Sequence, residues 1–111
     1  MSEAPILDAA VLDDLIDHIG EDAVRGIVEL FVAECRDLAG AIAAAATPQA
    51  AGRAAHSLKS SAGQLGASAL AEAARAIETA AETGSPRLPV LVAVLIDCAA
   101  RSQTALAARL R

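Results

Sequence analysis

Residues 54–67 read AAHSLKSSAGQLGA and place a lysine three residues after a histidine, among small side chains. On a helix, at about 100° per residue, the apolar positions in and just before this stretch fall on one stripe. That stripe, the face a helix buries, comprises Ala51, Ala54, Ala55, Leu58, Ala62 and Leu65. His56, Lys59, Ser60 and Gly63 fall on roughly the opposite face. We therefore expect the imidazole of His56 to point into solvent.

Two glycines, Gly52 and Gly63, lie on the same face as His56, one before it and one after it. Glycine inside a helix costs about 1 kcal/mol relative to alanine, yet here little side-chain bulk stands around the ring. A histidine that has a cation beside it and only small side chains around it on the helix is typical of a nucleophile that a large partner must approach.

Composition favours a single all-helical domain over residues 1–111. The chain is 55% hydrophobic but only 1% aromatic, so its core must come from Ala, Leu, Val and Ile. Clustered β-branched and aromatic residues, which mark strands, are nearly absent. Apolar runs of about 18 residues without a charge are also absent, which predicts no membrane-spanning helix. The short acidic start, residues 1–8, does not resemble a secretory signal.

The charged residues indicate which class of partner the protein binds, and the cysteines indicate its cellular compartment. The net charge is −5 and Lys59 is the only lysine, so no basic stripe exists to bind nucleic acid and proteins are the expected partners. Cys35 and Cys98 stand alone in apolar contexts. We expect both to be reduced, buried and structural, as in a cytoplasmic protein.

Capping and breaking residues predict five helices. Asp8 caps a helix over 9–18 that Gly20 ends, and a long helix follows over 21–46. Its predicted stripe is Val24, Ile27, Leu30, Phe31, Leu38, Ile42 and Ala45. Thr47-Pro48 opens the third helix, which Gly66 breaks.

Capping and breaking residues also delimit the last two helices. Ser68 is predicted to cap a fourth helix over about 69–83 that Gly84 ends. Ser85-Pro86 is predicted to open a fifth helix that runs to the C-terminus, and Pro89 can delay its regular hydrogen bonding to that point. Short links make sequential helices antiparallel neighbours. The predicted architecture is an antiparallel four-helix bundle with a short additional N-terminal helix, and its polar outer face suggests a monomer.

The chemistry expected at His56 is nucleophilic. A neutral imidazole is available near pH 7 because the ordinary pKa of histidine is about 6.5. For one ring nitrogen to attack phosphorus, the other should be held as N–H, usually by a carboxylate. Glu78 lies about as far beyond the turn near Gly66 as His56 lies before it, at the edge of an apolar stripe. Lys59 is placed to neutralise phosphoryl oxygens, although its spacing fits an ordinary solvated lysine equally well.

Other sites are not supported by the sequence. His56 has no second His, Cys or carboxylate at i+3 or i+4, so no metal site is expected. Nucleophile elbows and glycine-rich phosphate cradles are absent, so neither a serine hydrolase nor ATP binding is predicted. A phosphate on His56 would therefore come from another protein. His18 is predicted to be a surface or capping residue near a helix C-terminus.

Residues 55–63 (AHSLKSSAG) with the trailing LGA of residues 65–67 resemble the signature of histidine-containing phosphotransfer (HPt) domains of bacterial two-component phosphorelays. Ile77-Glu78 looks like the Leu-Glu pair of that family, and Phe31 also matches. The resemblance implies that His56 is the phospho-acceptor, Lys59 the phosphate-balancing cation and Glu78 the residue that orients the ring.

The resemblance also implies the partners. These would be receiver domains of response regulators and of a hybrid histidine kinase, and the receiver would supply Mg²⁺ while this chain binds no cofactor of its own. Docking is expected around Gly52, Ser60 and Gly63. The position after the lysine is commonly glycine in the family and is Ser60 here, which could narrow the choice of receivers.

Two alternatives remain open at this stage. The first is a non-catalytic adaptor that docks receivers without phosphotransfer. The second is the phosphoacceptor part of a histidine kinase, which would need an ATP-binding domain that 111 residues cannot hold. The expected role is a phosphocarrier without kinase activity of its own.

Overall fold

The computed structural model describes residues 4–110, which form five α-helices and no strand. The helices are α1 (Ala9–Ile19), α2 (Glu21–Ala43), α3 (Pro48–Gln64), α4 (Ser68–Thr83) and α5 (Leu88–Arg109). Helices α2 to α5 form a closed four-helix bundle in which each helix packs against two others, and α1 packs against α2. The predicted all-helical bundle with a short N-terminal helix is confirmed.

The predicted starts of α1 and α3 are correct because their capping side chains make the expected hydrogen bonds. The Asp8 carboxylate accepts from the Ala10 N–H, and the Thr47 hydroxyl accepts from the Ala50 N–H, each at 3.1 Å. Gly20 adopts a φ of +89° between α1 and α2. These caps satisfy N–H groups that a helix leaves without partners.

The starts of α4 and α5 and the end of α2 differ from the prediction. Ser68 is the first residue of α4 rather than its cap, since its hydroxyl donates to the Gly66 carbonyl. Helix α5 begins at Leu88, directly before Pro89, so the delayed start is observed and Ser85 lies outside the helix. The Ser85 hydroxyl accepts from the Arg87 N–H and holds a turn there. Helix α2 ends at Ala43 instead of Ala46, which leaves room for the extended Thr47 that precedes Pro48.

The core face of α2 also differs from the prediction. Ile27 and Leu30 are 38% and 73% exposed, whereas Val28 and Cys35 are buried. The buried positions Val24, Val28, Phe31, Cys35 and Ile42 repeat every three, four or seven residues, as in a bundle seam. The prediction placed the larger aliphatic residues Ile27 and Leu30 in the core, whereas the bundle buries Cys35 there as a small apolar residue.

The remaining core is mainly aliphatic, with Ser102 buried beside it. Fully buried leucines in α1, α3, α4 and α5 fill its centre, namely Leu12, Leu58, Leu70, Leu95 and Leu106. Cys98 was predicted to be buried and is only partly buried, and both cysteines are free thiols.

Helix α5 is long and apolar enough to cross a membrane, judged by length and composition alone. The core helix of a soluble bundle passes the same test. Within the bundle, α5 contributes Leu95, Ala99 and Leu106 to the core, while Asp97 and Arg101 form an ion pair on its surface.

Candidate functional site

The site depends on the tight turn between α3 and α4. Gly66 adopts a φ of +77°, and a Cβ there would lie 2.7 Å from the Asp8 carbonyl oxygen. Two hydrogen bonds join this turn to the segment before α1. The Asp8 N–H donates to the Gly66 carbonyl at 2.7 Å, and the Ala69 N–H donates to the Pro5 carbonyl at 2.8 Å. The turn therefore requires glycine, and it fixes the register in which α3 and α4 lie side by side.

That register brings His56 and Glu78 into contact across the two helices. The distance from His56 Nδ1 to Glu78 Oε2 is 2.8 Å. A carboxylate only accepts hydrogen bonds, so Nδ1 carries the proton and Nε2 is left with its lone pair. The His56 side chain is 69% exposed while that of Glu78 is only 18% exposed. Glu78 thus holds the ring on its buried side, and the other side of the ring is accessible to an incoming partner.

Lys59 completes the cluster by pairing with the second carboxylate oxygen of Glu78. Its Nζ lies 2.5 Å from Oε1. Contact with Lys59, followed by the hydrogen bond to His56, lowers the pKa of Glu78, although burial opposes the shift. Glu78 is therefore ionised at neutral pH and available to hold the Nδ1 proton.

The three residues predicted to act at the site are therefore neighbours, and the three predicted docking positions differ among themselves. Ser60 and Gly63 are exposed, and a Cβ at Gly63 would meet nothing within 4 Å. Gly52 is only half exposed, because a Cβ there would lie 3.2 Å from the Cβ of Ala81. Gly52 thus allows α4 to approach α3 closely beside His56.

An open groove of about 540 Å³ begins at His56 and runs between α3 and α4. Gly52 and Ala81 form its floor, and the polar side chains of Gln49, Arg53 and Glu82 line it together with His56 and Glu78. Arg53 and Glu82 were not among the site residues predicted from the sequence. Arg53 could have been found from its i−3 spacing to His56, which places the two on the same helix face.

No three His, Cys, Asp or Glu side chains within residues 4–110 cluster closely enough to hold a metal ion. His18 lies on α1, where its Nδ1 hydrogen-bonds with the Asp14 carbonyl oxygen of its own helix at 2.7 Å.

Comparison with known proteins assigns the chain to a family. Residues 26–106 match the Hpt domain family. The chain therefore belongs to the Hpt domain family, whose members take part in histidine phosphotransfer in two-component phosphorelays and interact with receiver domains.

A solved structure supports this assignment over nearly the whole chain. Histidine-containing phosphotransfer protein B (HptB) from Pseudomonas aeruginosa PAO1 superposes with a TM-score of 0.89 at 27% sequence identity. The alignment covers 97% of this chain and 96% of the HptB chain. Comparison with curated protein sequences found no match.

Proposed function

We propose that His56 accepts a phosphoryl group from a receiver-domain aspartate and passes it to the aspartate of a second receiver. The hydrogen bond between His56 Nδ1 and Glu78 carries the proposal, because it leaves Nε2 as the exposed nucleophile. A second support is the partial exposure of Lys59, 32% of its side chain, beside the same ring.

In the accepting step, the Nε2 lone pair attacks phosphorus and the bond from phosphorus to the aspartyl oxygen breaks. The aspartate leaves as a carboxylate, and the Nδ1 proton stays on the ring, hydrogen-bonded to Glu78. The ring becomes positively charged as the new P–N bond forms, and the carboxylate of Glu78 stabilises that charge. The reverse sequence on another receiver releases the phosphoryl group.

The remaining parts of the proposal follow from the family. Lys59 offsets the charge of the phosphoryl oxygens, while Gly52, Ser60 and Gly63 leave room for the receiver to dock. The receiver supplies Mg²⁺, which offsets phosphoryl charge on its own side of the transfer. The protein acts as a cytoplasmic monomer between a hybrid histidine kinase and a response regulator, and it does not use ATP.

The test is a phosphotransfer profile with a matched histidine control. A panel of phosphorylated receivers is mixed with wild type, His56→Gln and His18→Gln, and label on the small protein is followed over time. We expect one or two receivers to label wild type and His18→Gln at equal rates, and the rate for His56→Gln to fall below detection.

Other results would point elsewhere. A receiver that binds this protein without transferring label, and binds His56→Gln equally well, would indicate a docking adaptor. Equal labelling of His56→Gln would exclude His56 as the acceptor. Labelling of the protein by ATP alone would indicate a kinase fragment.

A further inference from the structure

The groove beside His56 carries an arginine that the mechanism above does not use. We propose that Arg53 binds the oxygens of the phosphoryl group in transit, on the side of His56 opposite Lys59. This inference rests on the proposed function and adds a phosphoryl-binding residue to it.

The position of Arg53 suits this role. It precedes His56 by three residues on α3 and lines the same groove as the ring. Side chains three apart on a helix have Cβ atoms about 5–6 Å apart, well within the reach of an arginine. Lys59 follows His56 by the same interval. The two cations thus bracket the histidine along the helix axis.

The charges around the groove explain why a second cation is useful. Lys59 is paired with Glu78, so part of its charge is already balanced before a phosphoryl group arrives. Glu82 also lines the groove and forms no ion pair with any residue among 4–110. A phosphoryl group carries about −1.5 to −2 charges and would be repelled by Glu82. Arg53 offsets that repulsion.

The guanidinium of Arg53 is also available. Like Glu82, Arg53 forms no ion pair within the part of the chain that the structure describes, and its side chain is exposed. A planar guanidinium donates two parallel hydrogen bonds to phosphate oxygens. Binding the phosphoryl group therefore breaks no ion pair of Arg53.

The experiment compares two donors of the phosphoryl group. One is the receiver that labels wild type fastest, and the other is phosphoramidate, a small donor that needs no protein surface. With phosphoramidate, Nε2 attacks phosphorus, the P–N bond of the donor breaks, and ammonia leaves. A residue that touches the phosphoryl group should matter for both donors.

The variants are Arg53→Gln, Arg53→Lys and the matched control Arg36→Gln. Arg36 is exposed and, like Arg53, forms no ion pair within residues 4–110. It lies on α2, about 200° around the helix axis from Glu34. Glu34 faces α3, since it accepts a hydrogen bond from Ser61 at 2.5 Å. Arg36→Gln therefore removes the same charge on a face of α2 turned away from α3.

We expect Arg53→Gln to slow labelling about tenfold with both donors, Arg53→Lys to fall between it and wild type, and Arg36→Gln to stay within about twofold of wild type. Slow labelling by the receiver alone would show that Arg53 contacts the partner protein instead, and would overturn the proposal. Wild-type rates with both donors would also overturn it. Failure of the proposed function looks different, because wild type would then take no label or His56→Gln would take it.

Discussion

The two histidines of the chain are nearly equally exposed, with 71% of the His18 side chain and 69% of the His56 side chain accessible. Both rings are also held through Nδ1, at 2.7 Å and 2.8 Å. Exposure and a fixed ring orientation therefore do not distinguish them. What differs is the group that holds the ring and the charges around it.

His18 is held by a backbone carbonyl of its own helix, with the carboxylates of Asp14 and Asp17 nearby. These groups stabilise an added proton and repel a phosphoryl group. His56 is held by a carboxylate from a different helix, which is itself paired with Lys59. In the proposed function, the carboxylate that holds the ring and the cation paired with it distinguish His56 from His18, and the α3–α4 turn brings that carboxylate to His56.

The largest expected difference between the two histidines comes from removing the carboxylate nearest each ring, Glu78 for His56 and Asp14 for His18. Glu78→Ala should slow phosphoryl uptake from a receiver about 10- to 100-fold, because the ring loses both its orientation and the negative charge that supports it. Asp14→Ala should leave uptake unchanged. The measurement is the initial labelling rate with one receiver.

Glu78→Gln separates the effect of the hydrogen bond from the effect of the charge, since its amide oxygen still accepts from Nδ1 but carries no charge. We expect its rate to fall between wild type and Glu78→Ala. Equal rates for Glu78→Ala and wild type would show that Glu78 does not support transfer.

A smaller effect is expected from adding bulk to the open surface around His56. Gly63→Trp should slow transfer from a receiver by about tenfold or more, equivalent to a loss of about 1.4 kcal/mol in docking. Labelling by phosphoramidate should be unaffected, because a small donor needs no docking surface. Gly40→Trp is the control, since a Cβ at either glycine meets nothing within 4 Å and Gly40 lies on α2. A substantial loss of thermal stability in Gly63→Trp alone would contradict the open placement of Gly63.

The sequence predicted the His56 face because its signals are local. The spacing of alanine and leucine predicts the buried stripe of α3, in which only Ala54 is less buried than expected. Gly66 must end that helix, so the register of Glu78 follows from counting residues on either side of the turn. The caps Asp8 and Thr47 are equally local, since each hydroxyl or carboxylate oxygen reaches an N–H only two or three residues away.

The sequence could not predict features that depend on packing between helices. The face of α2 was misplaced because Ile27 and Leu30 are larger than Val28 and Cys35, while the bundle selects positions by their spacing along the seam. The pairing of Lys59 with Glu78 depends on how closely α3 and α4 approach, which Gly52 and Ala81 set.

The smallest expected effects are on the pH dependence of stability, where the two histidine sites should have opposite signs. Contact with Lys59 and then with His56 lowers the pKa of Glu78 below its ordinary 4.5, so the stability it contributes is present above pH 4.5 and is lost as the pH falls through the folded value. The carbonyl and then the carboxylate of Asp14 raise the pKa of His18 above 6.5, so its contribution is present below pH 6.5 and is lost as the pH rises through the folded value.

Thermal melts of wild type, Glu78→Gln and His18→Gln across the pH range check these signs. The difference between wild type and Glu78→Gln should shrink as the solution is acidified, whereas the difference between wild type and His18→Gln should shrink as it is made alkaline. The His18 difference should be the smaller one, because solvent screens a pair whose side chains are 71% and 76% exposed. Differences that change in the same direction with pH would contradict the contrast, since they would mean that both histidine sites respond to one shared titration.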